Sequence, residues 1–202
     1  MKRYEDHQWK QSMRLKIDFN NMMSDMLGEE HGITKKAIDD MADKLKAAAQ
    51  SMAAKRREGK MDWMELPYNQ KEVVAEILKT AAEIKDRFDT FVVFGVGGSA
   101  LGPLAVHQAL SHIHYNELPR EKRGGYPRFY VVDNVDPERM KAFFDIIDLE
   151  KTLFNVITKS GNTAETMSQF LIIQKLLKDK LGQKYTEHLI ATTDRENGSL
   201  IK

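Results

Sequence analysis

The 202-residue sequence contains no cysteine. Disulfides, thiolate-bound zinc and cysteine-based redox chemistry are therefore excluded from it. It also lacks a charge of one sign: 31 Lys and Arg stand against 30 Asp and Glu, a formal net charge of +1. Without a one-signed field there is no general attraction to nucleic acid or to an anionic membrane. No apolar run reaches the length that crosses a bilayer. The opening MKRYEDHQWKQ has no apolar segment of the secretory-signal kind. These absences lead to the expectation of a cytoplasmic protein that binds neither nucleic acid nor membrane. No internal repeat or low-complexity tract is visible either. What is present is ordinary globular material, 42% hydrophobic and 30% charged, enough to build a sizeable core.

The chain changes period near residue 90. From Leu15 to Asp89 it is rich in Ala, Lys, Glu and Met and poor in β-branched residues, which favours helix. Thr34 is placed to cap a helix whose apolar positions Ile38, Met41, Ala42, Leu45, Ala48, Ala49 and Met52 recur at helical spacing, and Gly59 ends it. The connector MDWMELPYN then leads through Pro67 and Asn69 into a second helix ending near Arg87. The Met and Ala stripe of these helices reads as packing surface.

After Asp89, short apolar runs alternate with helical patterns. The runs are TFVVFGV (90–96), RFYVVD (128–133), TLFNVIT (152–158) and EHLIAT (187–192), and helices are predicted at about 99–115, 137–147 and 163–181. Wholly apolar strands separated by helices predict a doubly wound parallel α/β sheet, Rossmann-like, with a helical N-terminal attachment. The expected division is 1–88 as the helical segment packing on the sheet and 89–202 as the α/β domain. The segment 117–127, ELPREKRGGYP, reads as a charged, flexible connector. Only eight residues follow Asp194, too few for another crossover and strand, so the sheet is expected to be truncated at its C-terminal end.

Chemistry concentrates in two loops. FGVGGSALG, Phe94 to Gly102, carries four glycines in nine residues directly after the first strand. Thr158-Lys159-Ser160-Gly161-Asn162-Thr163 follows the third strand with three hydroxyls, an amide, a lysine and a glycine. In parallel sheets such loops open helices whose N-terminal amides and dipole favour anions, phosphate above all. A nucleotide P-loop is excluded, because Gly102 is followed by Pro103 and not by Lys. A dinucleotide site fits Gly95, Gly97 and Ala100, with Asp133 as the ribose acid. However, Asp133 lies 36 residues past Gly97, where about 20 is usual. A sugar-phosphate site uses both loops.

VFGVGGSALGPLA together with NVITKSGNTAET resembles the paired signatures of the sugar isomerase (SIS) domain, and within that group the glucose-6-phosphate isomerases. The family pattern is an apolar strand and G-I-G-G-S-x-L-G, then S-K-[ST]-x-x-T-x-E-[TP]. MDWMELPYN and LIATTD are similar to a Trp-x-x-Leu-Pro connector and to a later Ala-Thr-Thr-Asp strand end. Thr158 departs from the usual Ser and Asn162 from a frequent Thr.

The resemblance implies interconversion of glucose 6-phosphate and fructose 6-phosphate by proton transfer through an enediol(ate), with no metal and no organic cofactor. It implies that Gly98 and Ser99 line the sugar phosphate, that Thr158, Lys159, Ser160 and Thr163 hold the phosphate, and that Gly161 and Asn162 supply the turn and its amides. The family's catalytic glutamate, histidine, lysine and arginine have no matching motif here. No catalytic residue is therefore assigned, and the chain alone is expected to be inactive. The expected partners are the C-terminal half of the enzyme and, at full length, a second copy in a homodimer. The alternative is a non-catalytic SIS module that senses a sugar phosphate.

Other candidates read as structural. Glu165 complements the dipole of its helix. His107 sits among apolar helix residues, and His112 and His114 mark a solvated helix end. KRREGK (55–60) is a charged helix terminus.

Overall fold

The computed structural model describes residues 5–201. The chain divides into two compact units, Met1–Lys71 and Glu72–Lys202.

The first unit is helical. Helix α1 (His7–Ser12) starts where Asp6 accepts hydrogen bonds from the Gln8 and Trp9 amides, and a short α2 (Ser24–Leu27) follows. The single helix predicted from Thr34 to Gly59 is two: α3 (Lys35–Asp39), capped by Thr34 on the Ala37 amide, and α4 (Ala42–Arg57). The backbone stays right-handed through Asp40 and Met41. Met41, however, donates to Ile38 O, three residues back, so one tightened turn interrupts the ladder. In the last turn of α4, Arg56 pairs with Glu65, and this hydrogen bond holds the Glu65 carboxyl below the usual carboxylate range. Both partners are solvent-exposed, so the pair contributes little stability.

The second unit is α/β. Helix α5 (Lys71–Arg87) leads into β1 (Thr90–Phe94), α6 (Gly98–Leu110), β2 (Arg128–Val132), α7 (Pro137–Phe144), β3 (Thr152–Thr158), α8 (Ala164–Leu181) and β4 (Leu189–Thr193). The sheet is fully parallel in the order β2-β1-β3-β4. The two inner strands are mostly buried, and their half-buried positions Phe91, Asn155 and Ile157 fall on one face.

On one face Val92, Phe94, Phe154 and Val156 pack with Val132, Met140, Ile173 and Leu177, which places α7 and α8 there. Alternation along the strands sends Phe91, Phe129, Asn155, Ile157 and Ile190 to the opposite face. There, with Ile77 and Ile84 of α5 and His107 of α6, they line an open cavity of about 740 Å³. Asp136 caps α7 by accepting from the Arg139 amide at 2.7 Å, and Pro137 occupies the first helical position.

Two segments depart from expectation. The helix predicted to residue 115 stops at Leu110. Ser111 turns extended, its hydroxyl lies 3.1 Å from His107 Nδ1, and Tyr115 folds back to set its ring edge on His107 at 4.8 Å. The charged connector 117–127 is bonded internally more than its composition implies. Arg123 is buried, donating to Leu118 O and Tyr126 O, while Arg120 pairs with Asp89 and Lys85 O.

His107 yields a pH prediction. Burial against Tyr115 and Phe129 lowers its pKa from the ordinary imidazole value, because desolvation penalises the charged form. The unfolded chain then takes up this proton at higher pH than the folded chain. Stability should fall as pH drops from about 6.5 toward the lower folded value, and be insensitive to His107 above that window. Urea unfolding across pH 5–8, compared between the parent and His107→Gln, checks this: the variant should lose part of the acid-side slope.

Candidate phosphate-binding site

The strand order sets the location. From β1 the chain passes through α6 to β2 on one side, then returns through α7 to β3 on the other. The direction of winding reverses between β1 and β3, and the crevice at such a reversal, outside the carboxyl ends of the strands, is where ligands bind in open α/β sheets. Phe94 is in register with Val156, so the loops after Phe94 and after Thr158 leave adjacent strands at the same edge.

The first loop turns through Gly97, whose φ of +58° suits glycine and strains other residues. Gly97 sits at the N-cap of α6 without a side-chain bond to the helix. Gly98 and Ser99 then form the first turn, Gly98 exposed and Ser99 half-buried. No acidic residue lies in that turn, which leaves its positive dipole end uncompensated.

In the second loop, Thr158 is buried as the last residue of β3, and its hydroxyl lies 2.9 Å from that of Thr163. This pairing draws the loop into a closed turn. Thr163 occupies the N-cap position of α8 but makes no side-chain capping bond to it, its hydroxyl facing that of Thr158 instead. The first amides of an 18-residue helix are thus not taken by the cap side chain. Between the threonines, Gly161 donates to Thr158 O at 3.2 Å and the Asn162 amide to Ser160 Oγ at 3.2 Å. Lys159, Ser160 and Asn162 are exposed, Gly161 buried, and Thr163 half-buried. Glu165 is exposed in the first turn of α8. Among the described residues no hydrogen bond joins the two loops to each other.

Asp133, the acid of the dinucleotide reading, ends β2 beside Arg139 of α7, 3.4 Å away. His112 Nδ1 accepts from the His114 amide at 3.0 Å.

Sequence reasoning overlooked two features near the site. Thr193, at the end of β4, donates to Thr158 O at 2.7 Å. Gln169, wholly buried on α8, donates from Nε2 to Val132 O and Asn134 O at the end of β2. A glutamine in phase with Thr166, Ile173 and Leu177 on one helix face was the available signal.

A family model described as Phosphoglucose isomerase matches residues 68–199. The chain belongs to the phosphoglucose isomerase family. Among curated relatives, the glucose-6-phosphate isomerase of Carboxydothermus hydrogenoformans is 54% identical over 188 residues, 93% of this chain and 40% of the relative. That of Rubrobacter xylanophilus is 38% identical over 91% of this chain and 40% of the relative. The chain therefore spans about 40% of the length of these phosphoglucose isomerases. A hypothetical protein of Thermus thermophilus shares the fold at a TM-score of 0.64 and 33% identity, covering 82% of this chain and 37% of that one. A glucose-6-phosphate isomerase of Chlamydia trachomatis superposes at 0.53 with 30% identity, covering 63% and 23%. Among the described residues no helix is long and apolar enough to cross a membrane.

Proposed function

We propose that this chain is the sugar-phosphate-binding portion of an enzyme that interconverts glucose 6-phosphate and fructose 6-phosphate. The observation that carries the reading is the juxtaposition of two donor-rich, helix-opening loops on adjacent strands at the reversal of the sheet, in a chain of the phosphoglucose isomerase family. The Thr158–Thr163 loop takes the phosphate: the Ser160 hydroxyl, the Thr163 hydroxyl with Thr158 donating to it, and the first amides of α8 donate to its oxygens, and Lys159 offsets its charge. Gly98 and Ser99, from the first loop, line the sugar next to it.

Anchoring the dianion fixes the carbons that exchange a proton, so remote binding energy is converted into orientation at the reacting centre. The reaction itself, ring opening and then proton transfer between C2 and C1, needs a carboxylate base and positive charge near the enediolate. These groups come from outside the two loops. Glu165, exposed in the first turn of α8, sits where an acid complements the helix dipole and is given no part in the proton transfer. In the assembled enzyme the remaining polypeptide, and a second copy in a dimer, complete the site, in the cytoplasm.

Calorimetric titration of the 202-residue chain with fructose 6-phosphate, fructose and NADH tests the reading. Saturable heat with the sugar phosphate alone is expected, together with no isomerase turnover by this chain. Binding of NADH without binding of fructose 6-phosphate would sink the assignment and favour the dinucleotide site.

A further inference from the structure

The segment after β4 crosses the second loop at close range. Gly161 and Gly198, with φ of +67° and +104°, meet backbone to backbone. A Cβ on Gly161 would lie 2.9 Å from Gly198 Cα, and a Cβ on Gly198 would lie 2.8 Å from Gly161 Cα and collide with Ser160 O. Beside this contact the Ser199 amide donates to Asn162 Oδ1 at 3.0 Å. One strand end earlier, the Thr193 hydroxyl holds Thr158 O at 2.7 Å. The loop is thus fixed at its first carbonyl, along the Ser160–Gly161 backbone and at the Asn162 side chain, each time by residues 193–199.

The crossing turn supports itself. Asp194 Oδ1 accepts from the Glu196 amide at 2.9 Å, the Asn197 amide at 2.9 Å and Asn197 Nδ2 at 3.2 Å. Those donors favour the ionised carboxylate and lower its pKa, so the turn keeps its acceptor at neutral pH.

We infer that the Asp194–Ser199 turn is a clamp that sets the shape of the phosphate loop, with Gly198 and Asn162 as its positioning residues. This rests on the phosphate role proposed above. A loop with Lys159, Ser160 and Asn162 exposed would otherwise have to be ordered when a ligand arrives, at a cost in affinity. The clamp orders it beforehand. It also gives Asn162 a different task from that implied by its place in the loop. Its carbonyl oxygen is committed to Ser199, and its side chain serves geometry first.

The test uses the 202-residue chain and two variants, Gly198→Ala and Asn162→Ala, at a temperature where thermal unfolding shows all three folded. Dissociation constants for fructose 6-phosphate are measured by calorimetry, and exchange of the Ser199 amide proton by NMR. Each variant should bind about tenfold more weakly, and Ser199 exchange should accelerate at least about tenfold in Asn162→Ala. A role confined to stability would lower the melting temperature and leave the dissociation constant unchanged. Asn162→Ala introduces no bulk, so it reports even where Gly198→Ala fails to fold. Saturable binding of wild-type affinity in Asn162→Ala, and in Gly198→Ala where it folds, would overturn the clamp and leave the proposed function standing. Absence of binding by the parent chain would overturn the proposed function, and the clamp's role in binding with it.

Discussion

Phe154→Ala should remove about 3–5 kcal/mol from the stability of the α/β unit, the largest single-residue loss expected in the chain. Phe154 has no exposed surface and stacks on Phe94 with ring centroids 5.5 Å apart. It sits on an inner strand, in register with Val92 on one side and Leu189 on the other, and closes against Ile173 and Leu177 of α8. Truncation therefore opens a void lined by two strands and a helix, none of which can collapse into it without breaking the sheet. Typical domains hold only about 5–15 kcal/mol in total, so a large part of the folded population should be lost under mild denaturant. Urea unfolding followed by circular dichroism checks this, with Phe154→Leu expected to lose clearly less. A loss under about 1 kcal/mol would mean that the core is not built around this pair.

Lys159→Met should have the largest effect on binding with the smallest effect on folding. Lys159 is exposed and makes no ion pair among the described residues, so the fold does not depend on its charge. A hydrogen bond from a charged donor contributes about 1.5–3 kcal/mol, which is roughly a ten- to hundredfold change in affinity for fructose 6-phosphate. The salt dependence of binding should also become shallower, since one screened attraction is gone. An unchanged melting temperature with an unchanged dissociation constant would remove Lys159 from the site.

How far the sequence alone reaches depends on the range of the interactions involved. Thr90–Phe94, Arg128–Val132 and Thr152–Thr158 were legible because β-branched and aromatic residues bounded by glycine and charge leave little choice. The fourth strand, predicted at 187–192, runs from Leu189 to Thr193. The segment Gly182–His188 is taken up by a 3₁₀ turn, and His188 Nδ1 lies 2.9 Å from Thr152 O, a partner 36 residues away that no local pattern announces. The break at Asp40–Met41 and the early end of α6 have similar origins, in single bonds that compete with the helix ladder.

The second loop was readable as a donor cluster because its composition has no packing rationale. Its internal pairing of Thr158 with Thr163, and its contact with Gly198, were not readable. Both require knowing which backbones approach each other. The order β2-β1-β3-β4, which brings the two loops side by side, is likewise a consequence of tertiary winding that separate strands do not reveal.

In the proposed function the two loops act as one site. The direct measurement is an amide-resolved NMR titration of the 202-residue chain with fructose 6-phosphate, with fructose as the control. The Gly97, Gly98 and Ser99 amides and the Ser160, Gly161, Asn162 and Thr163 amides should shift together along one saturation curve, and fructose should move neither set. Shifts confined to one loop, or equal shifts with fructose, would contradict that reading.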